Sequence, residues 1–367
     1  MTTYAAHPFA PAPPNETAPR PDVVLRSSDA PAPTDFYVHK AVLALASPVF
    51  ADMFSLAQPG PAVATDGNET LPVVYMSERA AILDKALRFI YPHASLFPEG
   101  EDRSLYPLDD LRLVPEALVS KYQVDSATPL CKRLLREHLS STTNADVVGV
   151  FVVACGLRWH DIAREAAWAS LRLPLREFVT LPPESSRNQP LSSSNPPTAL
   201  TSSPLLAHLP SSTYHSLLTY HATCASLAAN ATTSLLWLPS ESVPGADCTN
   251  WNHPALCPRM GHWTFAGKTL APATRWFAVT LDWLGERLLK APLLPFDTQL
   301  ADAGELLVVA VREIGDCESC RRDGFPVLLE FLRLLRKHVE GELRKVSVAC
   351  CALACALSLM RSRSISF

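Results

Sequence analysis

An α+β fold over residues 22–140, followed by a mainly α-helical second half, is what this 367-residue sequence predicts. Three observations predict it. Two short β-type runs, Val23-Val24-Leu25 and Phe36-Tyr37-Val38, flank the turn-rich segment Ser27 to Thr34, and the economical arrangement is a hairpin. Leu71 to Met76 supplies a further strand. Between and after these runs the apolar residues recur at helical spacing, and beyond residue 211 helical spacing dominates.

Hydrophobic residues make up 48% of the chain, ample for buried cores, and the length suits two or three domains. A net charge of −4 gives no electrostatic footprint for nucleic acid or an anionic membrane. The ten cysteines all lie beyond residue 130, and the start of the chain has neither a basic n-region nor an apolar core. An intracellular protein of the cytoplasm or nucleus is expected, with its thiols free or metal-bound.

Residues 1–21 carry six of the prolines and no apolar period, and read as a disordered arm. The hairpin then leads into a helix on whose face Val42, Leu45, Ala46, Val49, Phe50 and Met53 fall. Ser47-Pro48 interrupts it: Ser47 is expected to cap a second helix and Pro48 to take its first position, where no amide hydrogen is needed. After the strand at 71–76, Ser77 can cap a helix through Ile82, Leu83, Leu87 and Ile90. Helices are expected over Leu108–Tyr122, with Asp109 and Asp110 at its positive end, and over Ala127–Leu139. Residues 141–180 read as a helical extension, broken at Gly156. A Ser/Pro-rich linker over 181–212 follows, then a mainly helical domain over 213–347 with one helix around Trp276, Val279 and Trp283 and another lined by Leu328, Leu332, Leu335, Val339 and Val346. An apolar, cysteine-containing tail occupies 348–367.

The order of these elements, and the residues Asp22-Val23-Val24-Leu25, Phe36-x-Val38-His39-Lys40 and Leu43-x-Leu45-Ala46-Ser47-Pro48-Val49-Phe50-x-x-Met53-Phe54, resemble a BTB/POZ domain. Phe89-Ile90-Tyr91-Pro92 and Ala117-Leu118-Val119-Ser120-Lys121-Tyr122-x-Val124 fit its later helices. The wording around Ser47 and Phe89 is closest to the BTB proteins of basidiomycete fungi. The resemblance implies a small sheet capping a helical cluster, with Asp22, His39, Lys40, Ser47, Pro48, Phe50, Met53 and Phe54 as its structural signature. Two features depart from the family pattern: Ala30-Pro31-Ala32-Pro33 swells the hairpin turn, which could disturb one edge, and Gln58 to Thr70 is a long polar connection.

The chemistry-bearing candidates are few. His39 could serve as a base only with a partner such as Asp22 or Asp35; a helix-start residue fixing the strand–helix corner is the plainer reading. No glycine-rich phosphate loop, Gly-x-Ser-x-Gly or His-Glu-x-x-His pattern occurs, so no enzymatic activity is expected. Cys317 and Cys320 form a Cys-x-x-Cys pair, and with Cys248 and Cys257 could complete a structural zinc site; free thiols are the competing reading. The run Val346 to Met360 has no charge, is shorter than the roughly 20 residues that span a bilayer, and carries Cys350, Cys351 and Cys355 as conceivable palmitoylation sites.

The resemblance implies homo- or hetero-association with another protein, through exposed apolar positions among Val42, Leu43, Leu45 and Val49. A substrate adaptor of a Cullin-type ubiquitin ligase and a transcription-associated regulator are the alternatives it leaves open. No hydrophobic-x-Glu motif of the kind seen in well-matched adaptors lies between Phe54 and Leu71, and no basic stretch or zinc-finger repeat accompanies the domain.

Overall fold

The structure is a computed structural model. It describes residues 3–11, 19–56, 63–66, 69–91, 94, 96, 106–140, 144–175, 204–238, 260–265, 268–293, 308, 312, 326 and 328–346. The chain divides into two compact units, Met1–Ala163 and Arg164–Phe367.

The first unit is built on a five-stranded mixed sheet. Its strands are β1 (Thr3–Tyr4), β2 (Val23–Arg26), β3 (Thr34–Val38), β4 (Val63–Asp66) and β5 (Glu69–Tyr75), in the spatial order β1-β3-β2-β5-β4. The central strand β2 is antiparallel to β3 and parallel to β5. Covered on both faces, it reads as a continuous apolar run, and Val23, Val24 and Leu25 are each 0% exposed. Its last residue, Arg26, stands opposite Asp35 in register and holds it in a two-pronged pair of 2.6 and 2.7 Å. That bond to Asp35 raises the guanidinium pKa further above its ordinary range, against the opposing effect of burial.

The expected hairpin is present, and its swollen turn does not disturb the sheet. Ser27 Oγ accepts the Thr34 amide hydrogen, and the Ser28 N–H donates to the Glu78 carbonyl. Asp29 Oδ2 accepts the Ala80 amide hydrogen at 2.6 Å and so caps α3 (Ala80–Ile90). Ser77, expected in that role, does not cap the helix; its hydroxyl meets Lys121 and Glu78 instead. A cap that arrives from 51 residues upstream has no local signature. The bond to Ala80 draws the Asp29 carboxyl below its ordinary range. Asp29→Ala should therefore lower stability by about 1 kcal/mol and Ser77→Ala by far less, a ranking that chemical denaturation reads directly.

Three further elements correct the expectations. Residues 1–21 are not simply a disordered arm: β1 pairs parallel with β3, and Ala5 and Phe9 are buried. Phe9 packs on Phe36 and, edge-on, on Tyr91, which supplies the apolar burial that ordering this segment requires. Within the long polar connection, β4 forms a hairpin with β5. The helix expected over Leu108–Tyr122 is split into α4 (Leu108–Pro115) and a π-helical turn at Glu116–Lys121. Pro115 has no N–H for the Leu111 carbonyl, and the register then widens so that the Tyr122 N–H reaches the Ala117 carbonyl. The remaining helices of this unit are α1 (Lys40–Ala46), α2 (Pro48–Ser55), α5 (Thr128–Ser140) and α6 (Asn144–Gly156). α3 packs on α4, and α4 on both α5 and α6. The division between the units falls within α7 (His160–Ser170).

In the second unit, α8 (Ser211–Thr233) packs along α9 (Arg275–Lys290), and a helix at 328–346, α10, buries Leu328, Phe331, Leu335, Val339 and Leu343. A Cβ on Gly285 of α9 would meet Thr232 Oγ1 of α8 at 2.9 Å, so the close approach of these helices uses a glycine. This half is not helical throughout: β6 (Met260–Phe265) and β7 (Lys268–Thr274) form an antiparallel hairpin. The end of the expected linker is also folded, since 204–208 is a short helical turn and Leu205 and Leu209 are buried. Residues 176–180 of the expected helical extension, 181–203 of the expected linker and the tail expected at 348–367 lie outside the described residues.

Candidate functional site

The signature residues meet at two corners. At the first, β3 turns into α1. Asp22 Oδ1 accepts the Lys40 amide hydrogen at 2.7 Å, capping α1 from the start of the hairpin. The His39 amide donates to the Tyr91 hydroxyl at 2.7 Å, and the same hydroxyl lies 3.2 Å from His39 Nδ1. His39 Nε2 is 2.9 Å from the Pro19 carbonyl oxygen. That oxygen can only accept, which places the ring proton on Nε2 and leaves Nδ1 to accept from the tyrosine. Burial pushes the Tyr91 hydroxyl up to about 12, so it remains a phenol in this network. Both ring nitrogens are thus engaged by a backbone carbonyl and a phenol, and His39 fixes the corner. Asp22, weighed as a partner for its ring, is bound to the next residue's backbone instead.

The second corner joins α1 to α2. Ser47, 0% exposed, caps α2 by accepting the Phe50 amide hydrogen at 3.1 Å. Its hydroxyl donates to the Tyr122 carbonyl at the end of the π-helical turn. Pro48 takes the first position of α2 as expected. Phe50 is 1% exposed and stacks on Tyr122, with ring centroids 4.7 Å apart, and on Phe54 at 6.0 Å. Met53 and Phe54 are half-buried beside it.

Tyr122 extends the corner into a polar network. Its hydroxyl donates to Glu78 Oε2, and Lys121 Nζ to Glu78 Oε1, each at 2.5 Å. Burial raises the Glu78 carboxyl, but the bonds from Lys121 and Tyr122 outweigh it and hold the group below its ordinary 4.5. A carboxyl lowered on folding contributes stability that is complete above its unfolded value and is lost as the pH falls through the folded one. Wild-type stability should therefore decline more steeply than that of Glu78→Gln as the pH falls below the ordinary carboxylate value of 4.5. Parallel slopes for the two proteins would refute the assignment. The open groove beside this network, of about 540 Å³, has an apolar floor of Ile82, Leu113 and Ala117.

The outward surface of α1 is of a different kind. Leu43, expected among the interface positions, is 0% exposed and belongs to the core, so it is removed from that set. Leu45, two residues and about 200° further round the helix, is 92% exposed. Ala41, one turn before it, is exposed as well, and Val42, Ala44 and Val49 are half-buried. From Ala41 to Ala46 no side chain carries a polar atom. Leu56, just beyond α2, is 69% exposed. A lone exposed leucine is ordinary; a helix face without one polar side chain is not, and it suits contact with another apolar surface.

Tyr91, Glu78 and Asp29 went unassigned as supports of this region. The pairing of His39 with the tyrosine of Phe89-Ile90-Tyr91-Pro92 could have been sought, but Glu78 and Asp29 act across 44 and 51 residues and carry no local mark. Cys248, Cys257, Cys317 and Cys320 lie outside the described residues. Among the described residues no cluster of three or more His, Cys, Asp or Glu is placed to hold a metal, and no helix is long and apolar enough to cross a membrane.

No curated protein matches this chain. The family model of the BTB/POZ domain matches residues 15–139, the stretch that holds both corners and the outward face of α1. The observed small mixed sheet with its helices agrees with that match, and a BTB/POZ domain, a protein–protein interaction module, therefore occupies residues 15–139 of this chain.

Proposed function

We propose that this protein works by homo- or hetero-association through its BTB/POZ domain, with the outward face of α1 as the contact surface. The observation that carries the reading is Leu45, 92% exposed on a helix face of Ala41, Val42 and Ala44 that offers water no polar side chain. Covering that face with apolar side chains of a second chain removes it from water, at about 25 cal/mol per Å² buried. Oligomerisation is the simplest use of such a face, and an adaptor role is a narrower one that would need a Cullin as the second partner. The residue wording around Ser47 and Phe89 supports a protein of the basidiomycete BTB type.

Sedimentation equilibrium of the purified full chain tests self-association. A mass of twice the 40.0 kDa of one chain is the expected result. A mass of 40.0 kDa at every concentration reached would overturn self-association and leave the partner a different protein. Pull-down with a Cullin decides the adaptor role: retention supports it, and no retention removes it.

A further inference from the structure

We propose that the open groove between the start of α3 and the face of α4 with its π-helical turn docks a segment of a partner protein in which apolar side chains stand between lysines or arginines. The inference concerns a different part of the domain from the outward face of α1 and does not rest on the association reading. Leu113, Glu116, Ala117, Ser120 and Lys121 recur at steps of three and four and so share one helix face, and Ile82 of α3 lines the same groove. Ile82 and Leu113 are only half-buried there, so the floor of this groove of about 540 Å³ keeps apolar surface in contact with water.

Charge decides what fits. Both cations of the rim are already engaged: Lys121 by Glu78, and Arg79 by Asp29, whose carboxyl it helps to lower. The carboxylates are not all matched. Glu116 stands on the rim, and Asp109 is exposed on the same helix face, four residues before Leu113. Neither side chain has an ion-pair or hydrogen-bond partner among the described residues, and Arg112, between them in sequence, pairs with neither. Seven residues of helix set the two carboxylates about 10 Å apart along the axis with Leu113 between them. An extended chain covers that span in about three residues.

This pattern selects among occupants. Two unmatched carboxylates repel nucleic acid, an anionic lipid surface and an acidic peptide alike. A small molecule needs roughly 70–90% of its surface enclosed, which an open groove does not provide. A protein segment with basic side chains about three residues apart and apolar ones between them meets both the carboxylates and the floor.

The test is fluorescence polarisation of the full-length protein with three labelled peptides, whose cores are Lys-Leu-Leu-Lys, Glu-Leu-Leu-Glu and Lys-Ser-Ser-Lys. Saturable binding of the first, about tenfold or more tighter than of the other two, is expected. An exposed ion pair contributes roughly threefold, so Asp109→Asn/Glu116→Gln should weaken the first peptide about tenfold. Ser120→Arg, which adds bulk and a cation to the rim, should weaken it as well. These side chains are exposed, and an unchanged melting temperature shows that the fold is kept. Asp52→Asn/Glu137→Gln, which removes two exposed carboxylates outside the groove, and Leu45→Glu, which charges the face of α1, should both bind as wild type does. No saturable binding of the first peptide, equal binding of the acidic one, or full binding by Asp109→Asn/Glu116→Gln would overturn the proposal. So would an equal loss in Asp52→Asn/Glu137→Gln or in Leu45→Glu, which would place the peptide elsewhere on the protein.

Discussion

Phe50→Ala should lower stability by about 3–5 kcal/mol, the usual cost of emptying a buried phenylalanine site. Phe50 is 1% exposed, and the truncation removes a ring that stacks on Tyr122 at 4.7 Å and on Phe54 at 6.0 Å. Neither neighbour can easily close the gap. The Tyr122 hydroxyl is bound to Glu78, and Ser47, which caps the helix carrying Phe50, is tied to the Tyr122 backbone. The melting temperature should fall by roughly 10 °C for a unit of this size. A variant that melts with the wild type would show that α2 does not present this face to the core.

Ser47→Ala should be the second most damaging of these changes, at about 2–4 kcal/mol. Losing the cap accounts for about 1 kcal/mol, and leaving the Tyr122 carbonyl without its donor adds about 1–3 kcal/mol. Ser47→Gly separates the two contributions. Glycine is tolerated at a helix start at a cost of only a few tenths of a kcal/mol, yet it restores no donor to Tyr122. Chemical denaturation should therefore place Ser47→Gly between wild type and Ser47→Ala. Equal stability of wild type and Ser47→Gly would mean that the bond to Tyr122 contributes nothing.

The parts of the fold legible in the sequence were those written locally. Val23-Val24-Leu25 announces a buried strand, and Ser47-Pro48 announces a helix break because the cap and the proline sit side by side. The parts that were not legible depend on distant partners. Asp29 caps α3 from within the hairpin turn, and Phe9 orders a proline-rich segment by packing on Phe36 and Tyr91. Leu43 and Leu45 show the same limit at the candidate surface. Both are leucines of one short helix, and only the packing of α1 against α2 and α3 decides that Leu43 is covered and Leu45 is not. The Pro115 break was within reach of the sequence, since a proline about two turns into a helix removes a hydrogen bond whatever the fold.

The claim that the outward face of α1 is the contact surface is tested most directly by one comparison. Wild type and Leu45→Glu, expressed at equal levels in cells alongside a differently tagged wild-type copy, are affinity-purified and their co-purifying chains quantified. Leu45 is 92% exposed, so a glutamate there is solvated in the single chain and the melting temperature should be unchanged. In a covered interface the same carboxylate would be stranded away from water. The account predicts that the chains recovered with wild type, a second copy or another protein, are lost from Leu45→Glu. Recovery of the same chains in the same amounts by both proteins would contradict it.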